Sequence, residues 1–475
     1  MMDSLTDAGP PERGVFANRT LNMRAVQAVG YDMDYTLIHY RVEEWEGAAF
    51  RKACEQLRAK GWPVGDLEFD PDQFTIGLTF DLQLGNILKA TRFGYVVRSR
   101  HGGEMLSFDE QRTCYRETVV ELSDPRFRFM NTLFELSRAS LFSQLVDIHD
   151  ERSLPGVGSY ADLYREIDEA LSEAHIAGSL KAEIVADPDR FVSSDPDIVQ
   201  TLADQRAAGK RLLLITNSDW SYTRRMMSYC FDRYCPGDTT WRDLFELVIV
   251  SANKPRFFSK TDPIYRVVDE ERSLLHPHSG ALESGHVYFG GNARLVERSL
   301  GISGGQPLYV GDHLFGDVHV TKDVLRWRTA LIVRELEAEI SDAIGSADQQ
   351  EMLERLMKEK VAAERQHARL RVDLQRDRET NSTTATGSKD ELDSLSAAIE
   401  DLDDRIAPLA QATTEQGSLT WGPLMRAGND KSLFARQVER YADVYTSRVS
   451  NLCYETPFAY LRAARGSLPH DEATR

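Results

Sequence analysis

The sequence has few cysteines and no long apolar run, and each absence excludes a class of protein. The chain of 475 residues contains 5 cysteines, and because no two of them form a Cys-X-X-Cys pair, neither a disulfide framework nor a zinc ribbon is indicated. The longest apolar runs, such as 212–215 and 247–250, fall far short of the roughly 18 residues that a membrane span needs. Residues 1–14 are polar and lack the apolar segment of a signal peptide. We therefore expect a cytoplasmic protein with reduced thiols and no membrane partner.

The chain also has fewer basic than acidic residues. The 57 lysines and arginines are outnumbered by 75 aspartates and glutamates, which gives a net charge of −18. Nonspecific binding to nucleic acid through a broad basic surface is therefore not expected. Hydrophobic residues make up 41% and charged residues 28% of the chain, values that are ordinary for a folded globular protein and exclude wholesale disorder.

Short apolar runs that end in polar turns recur along the chain, a pattern typical of buried parallel strands. Helical stretches such as 197–208 and 222–231 lie between them, so the order of elements predicts an α/β fold with a parallel sheet. Ligands of such sheets bind beyond the carboxyl ends of the strands, where these turns meet. A further run, 328–333, predicts a fifth strand. The four runs with polar turns are 25–31 followed by Asp32 and Asp34, 211–215 followed by Thr216, Asn217 and Ser218, 244–250 followed by Lys254, and 307–310 followed by Asp312 and Asp317.

The span between the first two strands is too long for a simple crossover and predicts an inserted cap domain. Farther along, apolar residues spaced by three and four over 353–374 and 392–406 flank a polar loop at 381–388, which predicts an antiparallel helical hairpin. This hairpin serves either as an oligomer or partner contact or as a surface arm. Helical spacing returns over 433–465. The predicted units are a flexible arm at 1–15, a core built from 16–40, 196–345 and 411–465, the cap at 41–195, the hairpin at 346–410 and a tail at 466–475.

The residues after the four strands have the chemistry of a phosphoryl-transfer site. Clustered carboxylates raise one another's pKa unless a cation neutralises them, and an oxygen-rich cluster suits Mg²⁺. Lys254 adds a fixed positive charge, and the run 216–218 adds hydroxyl, amide and backbone donors at the start of a helix, which are groups that hold phosphate oxygens. Each motif alone is more often a cap or a turn. Four of them in this order, each after an apolar strand, indicate phosphoryl transfer.

The same four motifs resemble those of the haloacid dehalogenase superfamily. More narrowly, the chain is similar to the cytosolic purine 5′-nucleotidase family over about residues 16–465, and the hairpin is the least similar part. The resemblance implies a haloacid dehalogenase-like Rossmannoid core and a cap that closes over the site and selects the substrate. The segments that carry it are 30–37 (GYDMDYTL), 80–89 (FDLQLGNILK), 178–181 (GSLK), 311–317 (GDHLFGD) and 433–443 (LFARQVERYAD).

The resemblance implies a role for each motif residue. Asp32 is expected to attack phosphorus and form an aspartyl-phosphate, and Asp34 to protonate the leaving oxygen and then deprotonate the attacking water. Mg²⁺ is expected to be held by Asp32, the backbone carbonyl of Asp34 and Asp312. Asp317 is expected to orient Lys254 or a metal-bound water. The residues expected to hold the phosphoryl group are Thr216, Asn217, Ser218 and Lys254.

In the cap, the resemblance implies substrate binding by Glu104, His175 and Lys181. Gly103 and Glu104 stand where purine-specific members of the family have an aromatic residue and an amide that meet the base. An ionised carboxylate accepts hydrogen bonds but cannot donate them, so Glu104 favours a base with ring N–H or amino donors, such as guanine.

A second departure lies on the helix before residue 178. By spacing, Asp168 and Ser172 occupy the positions where family members have an arginine and an aspartate, and Arg165, one turn earlier, is a candidate replacement for that arginine. A purine nucleoside monophosphate is the expected substrate, and another nucleotide or a sugar phosphate is the alternative.

The resemblance also implies a nucleotide effector site outside the active site, at Phe315, Gln437 and Tyr441. Phe315 could stack on a base and Gln437 could read its edge. Because Phe315 lies three residues from Asp312, ordering of this loop by an effector would position the metal ligand. The alternative is that Phe315 and Tyr441 are ordinary core aromatics.

Two functions of different classes follow from the sequence. The first is a Mg²⁺-dependent 5′-nucleotidase, a homo-oligomer (dimer or tetramer) with nucleoside phosphotransfer as a side reaction. The second is a non-catalytic nucleotide-sensing scaffold, suggested by the hairpin and the altered cap positions. The intact nucleophile, acid/base residue, lysine and metal aspartate favour the enzyme, because a sensor needs no nucleophile.

Overall fold

The computed structural model describes residues 9–176, 178–379, 385–414, 418, 420–464 and 466, without the side chains of 175–176, 377–379, 385–388 and 413–414. The chain divides into two compact units. One consists of the residues up to 337 together with those from 424 onward, and the other of residues 338–423. None of the described helices combines the length and the apolar character that a membrane span requires.

The strands are short and lie in the larger unit, whereas the two longest helices lie in the smaller one. The strands are β1 (Phe16–Ala17), β2 (Leu21–Asn22), β3 (Ala28–Tyr31), β4 (His39–Tyr40), β5 (Thr79–Asp81), β6 (Asn86–Ala90), β7 (Val96–His101), β8 (Glu104–Met105), β9 (Phe127–Phe129), β10 (Val192–Ser193), β11 (Arg211–Ile215), β12 (Leu247–Val250), β13 (Ile264–Asp269), β14 (Leu274–Pro277), β15 (Val287–Gly290), β16 (Pro307–Gly311), β17 (Arg328–Ile332), β18 (Arg426–Ala427), β19 (Asp430–Lys431), β20 (Val444–Thr446) and β21 (Tyr460–Leu461). The α-helices are α1 (Val42–Ala59), α2 (Phe108–Tyr115), α3 (Leu136–Glu151), α4 (Tyr160–Ile176), α5 (Ser179–Ala186), α6 (Pro188–Phe191), α7 (Asp197–Ala207), α8 (Trp220–Phe231), α9 (Trp241–Leu244), α10 (Arg256–Ser259), α11 (Ala293–Leu300), α12 (Leu336–Gly345), α13 (Ala347–Glu379), α14 (Ala385–Thr414) and α15 (Leu433–Tyr441).

A ten-stranded sheet with the order β1-β20-β17-β16-β3-β11-β12-β15-β13-β14 forms the centre of the larger unit. The strands from β20 to β15 in this order are parallel to their neighbours, and the outer strands pair antiparallel. The central strands β3, β11, β12 and β16 are apolar and almost entirely buried, as expected for a sheet covered on both faces. The predicted α/β class with a parallel sheet is confirmed.

The prediction of helix over 433–465 is wrong beyond Tyr441, where α15 ends and the chain continues as strand β20. The cause is a tertiary contact. Asp443 is fully buried and accepts hydrogen bonds from Lys322 Nζ (2.6 Å) and from the backbone N–H of Thr329 (3.0 Å). These partners lie more than 100 residues earlier in the chain, so the local helical spacing does not reveal them.

The predicted insertion contains a second sheet, antiparallel, with the order β8-β7-β6-β5-β9. The chain leaves the main sheet through β4 and returns through β10, and these two strands pair with each other, with Tyr40 opposite Val192 and His39 opposite Ser193. The two connections of the insertion therefore lie side by side. The predicted domain boundaries stay a prediction.

The smaller unit is a pair of long helices, α13 and α14. They run antiparallel, because Leu356 near the start of α13 packs with Leu402 and Ile406 near the end of α14. The polar residues on the predicted seam have partners across it. Lys360 pairs with Asp403, and His367 Nε2 lies 3.2 Å from Ser396 Oγ.

Candidate active site

The residues that follow β3, β11, β12 and β16 meet at one edge of the main sheet. These strands are neighbours and run parallel, so their carboxyl ends lie side by side. After β3 the chain reverses tightly through Tyr35, whose φ of 54° is left-handed and uncommon for a residue with a side chain. The Met33 carbonyl accepts hydrogen bonds from the backbone N–H groups of Leu37 and Ile38 (2.9 Å each). Asp32 and Asp34 therefore lie on one tight turn.

Lys254 is the buried cation of this site, with 4% of its side chain exposed. Its Nζ lies 2.7 Å from Asp32 Oδ1 and 2.9 Å from Asp317 Oδ1, and it donates a hydrogen bond to Tyr309 OH (3.0 Å). Burial by itself lowers the pKa of a lysine, but the carboxylates of Asp317 and Asp32 outweigh it and hold the pKa of Lys254 well above its ordinary value. Lys254 is therefore a fixed positive charge at neutral pH.

Three carboxylates lie close together beside this lysine. Asp32, Asp312 and Asp317 each place an oxygen within 4.8 Å of the others. Burial raises the pKa of Asp32 to about 6, against the attraction of Lys254. Burial and the charges of Asp32 and Asp317 also raise the pKa of Asp312 well above its ordinary value. One lysine does not neutralise three carboxylates, and an all-oxygen donor set of this kind fits Mg²⁺.

Asp34 lies on the same turn but has different partners. Its Oδ1 accepts a hydrogen bond from Tyr40 OH (2.6 Å), and its Oδ2 accepts one from Ser218 Oγ (2.6 Å). Burial raises the pKa of Asp34, and the charge of Lys181 together with the two hydroxyls opposes this rise. Asp32 is thus paired with a cation, whereas Asp34 is oriented by hydroxyl groups.

The turn after β11 is hydrogen-bonded to the backbone of Lys254. The Asn217 side chain accepts a hydrogen bond from the backbone N–H of Lys254 (2.6 Å) and donates one to its carbonyl (3.1 Å), so this amide positions the backbone of Lys254. Thr216 Oγ1 accepts from the backbone N–H of Ser218 (3.0 Å). Asn217 therefore holds the lysine in place as well as lining the site.

These groups line one cavity of about 400 Å³ between the main sheet and the inserted segment. On the sheet side, every sequence-predicted catalytic, phosphate and metal residue contributes to its wall. On the inserted side, the predicted Lys181 lines it as well, together with Ser172, one of the positions where the chain departs from the family pattern. The further inserted residues in the wall are Trp45, Thr132, Phe134, Glu135, Arg138 and Leu171.

Arg138 is a lining residue that the sequence pattern did not reveal. Its Nη1 lies 2.7 Å from Glu135 Oε1, and its Nη2 lies 2.5 Å from Asp168 Oδ1, so an arginine from α3 reaches the α4 position where the related family has one. Arg165, the candidate replacement for that arginine, is exposed, pairs with Asp162 (2.8 Å) and is not part of the cavity wall. Glu135 lies one turn before Arg138, but Asp168 lies on α4, 30 residues farther along the chain, and local spacing does not connect it to Arg138.

Thr132 and Tyr40 are also absent from the sequence-based site. Thr132 Oγ1 donates a hydrogen bond to Asp312 Oδ2 (2.8 Å) across 180 residues of sequence. Tyr40 reaches Asp34 from the strand that enters the insertion. A single hydroxyl has no local signature, so no sequence signal could have found either residue.

The structure does not bring every predicted cap residue to the cavity. Glu104 lies on the exposed strand β8 and is not part of the cavity wall. The neighbouring backbone N–H of Gly103 donates to Asp147 Oδ2 (2.8 Å). His175 belongs to α4, but its side chain lies outside the described residues.

The three predicted effector residues lie together, away from the cavity wall. The ring of Phe315 is 6.3 Å from that of Tyr441 and 5.9 Å from that of Phe129, and His319 packs on Tyr441 at 4.0 Å. Gln437 is buried on the same helix as Tyr441. The group is an aromatic cluster beside the loop that carries Asp312.

The site thus combines a parallel α/β core with a buried lysine and a cluster of carboxylates at the carboxyl ends of its strands. The chain belongs to the 5′ nucleotidase family, which matches residues 15–473. The predicted family and enzyme class are therefore confirmed.

Similar proteins are known from several organisms. The chain is 27% identical over 483 residues to 5′-nucleotidase domain-containing protein 2 of Homo sapiens, a match that covers 96% of this chain and 86% of that protein. It is 25% identical over 476 residues to a 5′-nucleotidase domain-containing protein of Dictyostelium discoideum, with coverage of 96% and 74%. Among solved structures, it resembles an archaeal β-phosphoglucomutase from Pyrococcus sp. strain ST 04 distantly, with a TM-score of 0.30, 10% identity and coverage of 65% of this chain and 87% of that one.

Proposed function

We propose that this protein is a Mg²⁺-dependent 5′-nucleotidase that hydrolyses nucleoside 5′-monophosphates through an aspartyl-phosphate, with purine substrates of the IMP and GMP type favoured. The observation that carries the proposal is the pairing of Lys254 Nζ with both Asp32 (2.7 Å) and Asp317 (2.9 Å) in the wall of one cavity. A nucleophile beside a fixed cation is what phosphoryl transfer requires.

The reaction divides into two steps that use the same residues. Asp32 Oδ forms a bond to phosphorus while the bond from phosphorus to the nucleoside oxygen breaks, and Asp34 gives its proton to that oxygen. Asp34 then takes a proton from water as the water oxygen attacks phosphorus, which releases phosphate and restores Asp32. Lys254 balances the negative charge of the phosphoryl oxygens, and Thr216 offers a hydroxyl donor to them. Ser218 lines the same cavity and gives its hydroxyl proton to Asp34.

Asp32, Asp312 and the backbone carbonyl of Asp34 are the groups that would hold Mg²⁺, the set that the family resemblance implies. Oxygens of Asp32, Asp312 and Asp317 lie within 4.8 Å of one another, and Asp317 would orient Lys254 or a metal-bound water. When bound, Mg²⁺ supplies positive charge that stabilises the phosphoryl group. Thr132, which donates to Asp312 (2.8 Å), fixes the orientation of one of these carboxylates.

The wall on the inserted side has the composition of a base-binding surface. Trp45 and Phe134 present aromatic rings of the kind on which bases stack, and Arg138 and Lys181 present donors to carbonyl or phosphate oxygens. We propose that these residues, with His175, contact the nucleoside, and that transfer to a nucleoside acceptor competes with hydrolysis.

The five cysteines are all unpaired, which supports a cytoplasmic location.

The test is phosphate release from IMP, GMP, AMP, UMP and a sugar phosphate, measured with Mg²⁺ and with a chelator. We expect release from nucleoside monophosphates with Mg²⁺ and its loss on chelation. The same ranking is measured for Glu104→Gln. Glu104 is exposed and lies outside the cavity wall. Its role in base recognition is supported only if Glu104→Gln changes the order in which the substrates are preferred. Inertness of the wild type toward every phosphate ester contradicts the proposed function.

A further inference from the structure

We infer that Tyr40 is a positioning residue for Asp34 and links the orientation of this acid/base carboxylate to the connection between the main sheet and the insertion. The inference rests on the proposed function, since it takes Asp34 as the group that protonates the leaving oxygen. It adds a residue that none of the phosphatase motifs contains.

The hydrogen bonds around Tyr40 have a defined direction. Tyr40 OH lies 2.6 Å from Asp34 Oδ1 and 3.0 Å from Tyr222 OH. A phenol has a single proton, and the carboxylate is the stronger acceptor. When Asp34 is ionised, Tyr40 therefore donates to Asp34, and Tyr222 donates to Tyr40. Both rings are buried, so water does not compete for these bonds.

The other carboxylate oxygen of Asp34 is fixed in the same way. Ser218 Oγ donates to Asp34 Oδ2 (2.6 Å), and Lys181 Nζ donates to Ser218 Oγ (3.2 Å). Lys181 belongs to helix α5 of the insertion. Each oxygen of Asp34 thus receives a hydrogen bond from a hydroxyl that is itself held by a second donor.

Tyr40 is placed where the chain leaves the main sheet. It is the last residue of β4 and pairs with Val192 of β10, the returning strand. The next backbone N–H, of Arg41, donates to the Phe191 carbonyl (2.7 Å), and helix α1 begins at Val42. Because the chain enters and leaves the insertion through these two strands, a movement of the insertion relative to the main sheet shifts Tyr40 and the hydroxyl that orients Asp34. The geometry therefore couples the acid/base group to the position of the insertion.

Tyr40→Phe tests this inference because it removes the hydroxyl and keeps the ring that packs on Trp45 (4.2 Å). A nucleoside oxygen needs a proton to leave, whereas the nitrophenolate of p-nitrophenyl phosphate leaves without one. The comparison uses kcat/KM, which reports the step in which the leaving group departs, because breakdown of the aspartyl-phosphate is common to both substrates. We expect kcat/KM to fall about 10- to 100-fold on the preferred nucleoside monophosphate, a part of what general acid catalysis supplies. On p-nitrophenyl phosphate we expect kcat/KM to stay within about 2-fold of the wild-type value.

A double-mutant comparison tests whether Tyr40 acts through Asp34. In an Asp34→Asn background, Tyr40→Phe should cause no further loss on the nucleotide, because the group that it positions is already gone. The matched control is Tyr115→Phe, which also removes a hydroxyl donated to a buried aspartate, Asp81 Oδ2 (2.9 Å), but inside the insertion and away from the cavity. We expect Tyr115→Phe to change kcat/KM by the same factor on the two substrates.

The outcomes separate the two proposals. A wild type that is inert on both substrates with Mg²⁺ overturns the proposed function and this inference with it. A wild type that hydrolyses both substrates, with equal losses of kcat/KM on the two for a folded Tyr40→Phe variant, overturns the inference alone. The inference is also overturned if the Asp34→Asn, Tyr40→Phe double variant loses activity by the product of the two single losses. Thermal unfolding of each variant confirms that the compared proteins are folded.

Discussion

At the scale of single residues, Lys254 shows how a buried ion cluster is both a structural and a chemical feature. Its ammonium is shared by Asp32 and Asp317. Removing one partner of a buried pair commonly costs about 3–5 kcal/mol because the other charge is left uncompensated. In this site the loss of one carboxylate still leaves Lys254 with the other. Substitution of Asp32, the proposed nucleophile, is therefore expected to leave the fold intact.

We expect Asp32→Asn to lose phosphate release by more than about 1,000-fold, because the change is nearly isosteric but removes the nucleophile and one metal charge. The measurement is phosphate release, together with circular dichroism to verify folding. Asp162→Asn, which alters a half-buried surface aspartate paired with Arg165 outside the cavity wall, is the control and should retain activity. Wild-type-like turnover by a clean preparation of Asp32→Asn would contradict the nucleophile role.

Glu46 provides a pH-dependent prediction outside the catalytic cluster. It is fully buried, and burial raises its pKa from 4.5 to about 7, against a hydrogen bond donated by the backbone N–H of Ser137 (3.0 Å). An acid whose pKa is raised on folding stabilises the protein below its unfolded pKa and loses that contribution as the pH rises through its folded pKa. From about pH 4.5 to pH 7, the wild type should therefore lose stability relative to Glu46→Gln.

The loss amounts to at most about 3.5 kcal/mol in the free energy of unfolding by pH 8, since each pKa unit corresponds to about 1.4 kcal/mol. Denaturant unfolding of both proteins at pH 5 and pH 8 measures it. Glu43→Gln, on the exposed face of the same helix, is the control and should follow the wild type at both pH values. Parallel behaviour of wild type and Glu46→Gln would show that Glu46 ionises in the folded state without a penalty.

At the scale of elements, the helical pair α13 and α14 is held by a small apolar contact. Leu356, Leu402 and Ile406 are its buried residues. We expect Leu402→Asp to lower the helix content, because a charge in this contact is desolvated, and to leave phosphate release unchanged, because every site residue lies in the other unit. Circular dichroism and the phosphatase assay measure the two effects. Asp404→Ala, at an exposed position of α14, is the control.

The same variant separates the two interpretations of the hairpin. If the hairpin builds the proposed dimer or tetramer, light scattering should give a lower mass for Leu402→Asp than for the wild type. An unchanged mass supports the surface-arm interpretation. Lost phosphatase activity in a variant that is otherwise folded would show that the smaller unit contributes to catalysis.

At the scale of the whole molecule, the aromatic cluster around Phe315 offers a route from an effector to the active site. Phe315 lies three residues from Asp312 and packs on Tyr441 of the C-terminal part. A nucleotide that binds this cluster would bias the arrangement of the loop and so the position of Asp312. The close packing of His319 on Tyr441 (4.0 Å) also agrees with the alternative of a core contact.

We expect ATP or GTP to activate phosphate release at subsaturating substrate, and the response to disappear in Phe315→Ala and in Gln437→Ala. The measurement is a nucleotide titration of each protein in the phosphatase assay. Phe93→Ala, which alters an exposed aromatic residue of the insertion, is the control and should respond as the wild type does. A flat response of the wild type to every nucleotide would leave the cluster with a packing role.

The main sheet and its catalytic turns could be predicted because their signals are local. Each of β3, β11, β12 and β16 is a short buried apolar run, and parallel strands necessarily bring their carboxyl ends to one edge. Strand β15 belongs to the same sheet, but the sequence pattern did not predict it. Strand β20 was masked by helical spacing, because the buried Asp443 is stabilised by partners far away in the sequence.

The amino-acid sequence by itself determined the chemistry of this protein, since the aspartates, the lysine and the hydroxyl turn follow their strands directly. Only the tertiary structure decided which residues surround that chemistry. Thr132 reaches Asp312 across 180 residues, and Ser218 reaches Asp34 across 184. Glu104, placed near the substrate by family position, lies on an exposed edge strand instead. The physical reason is that strand ends are positioned by backbone pairing, whereas single side chains from an insertion are positioned by packing between elements that local patterns do not connect.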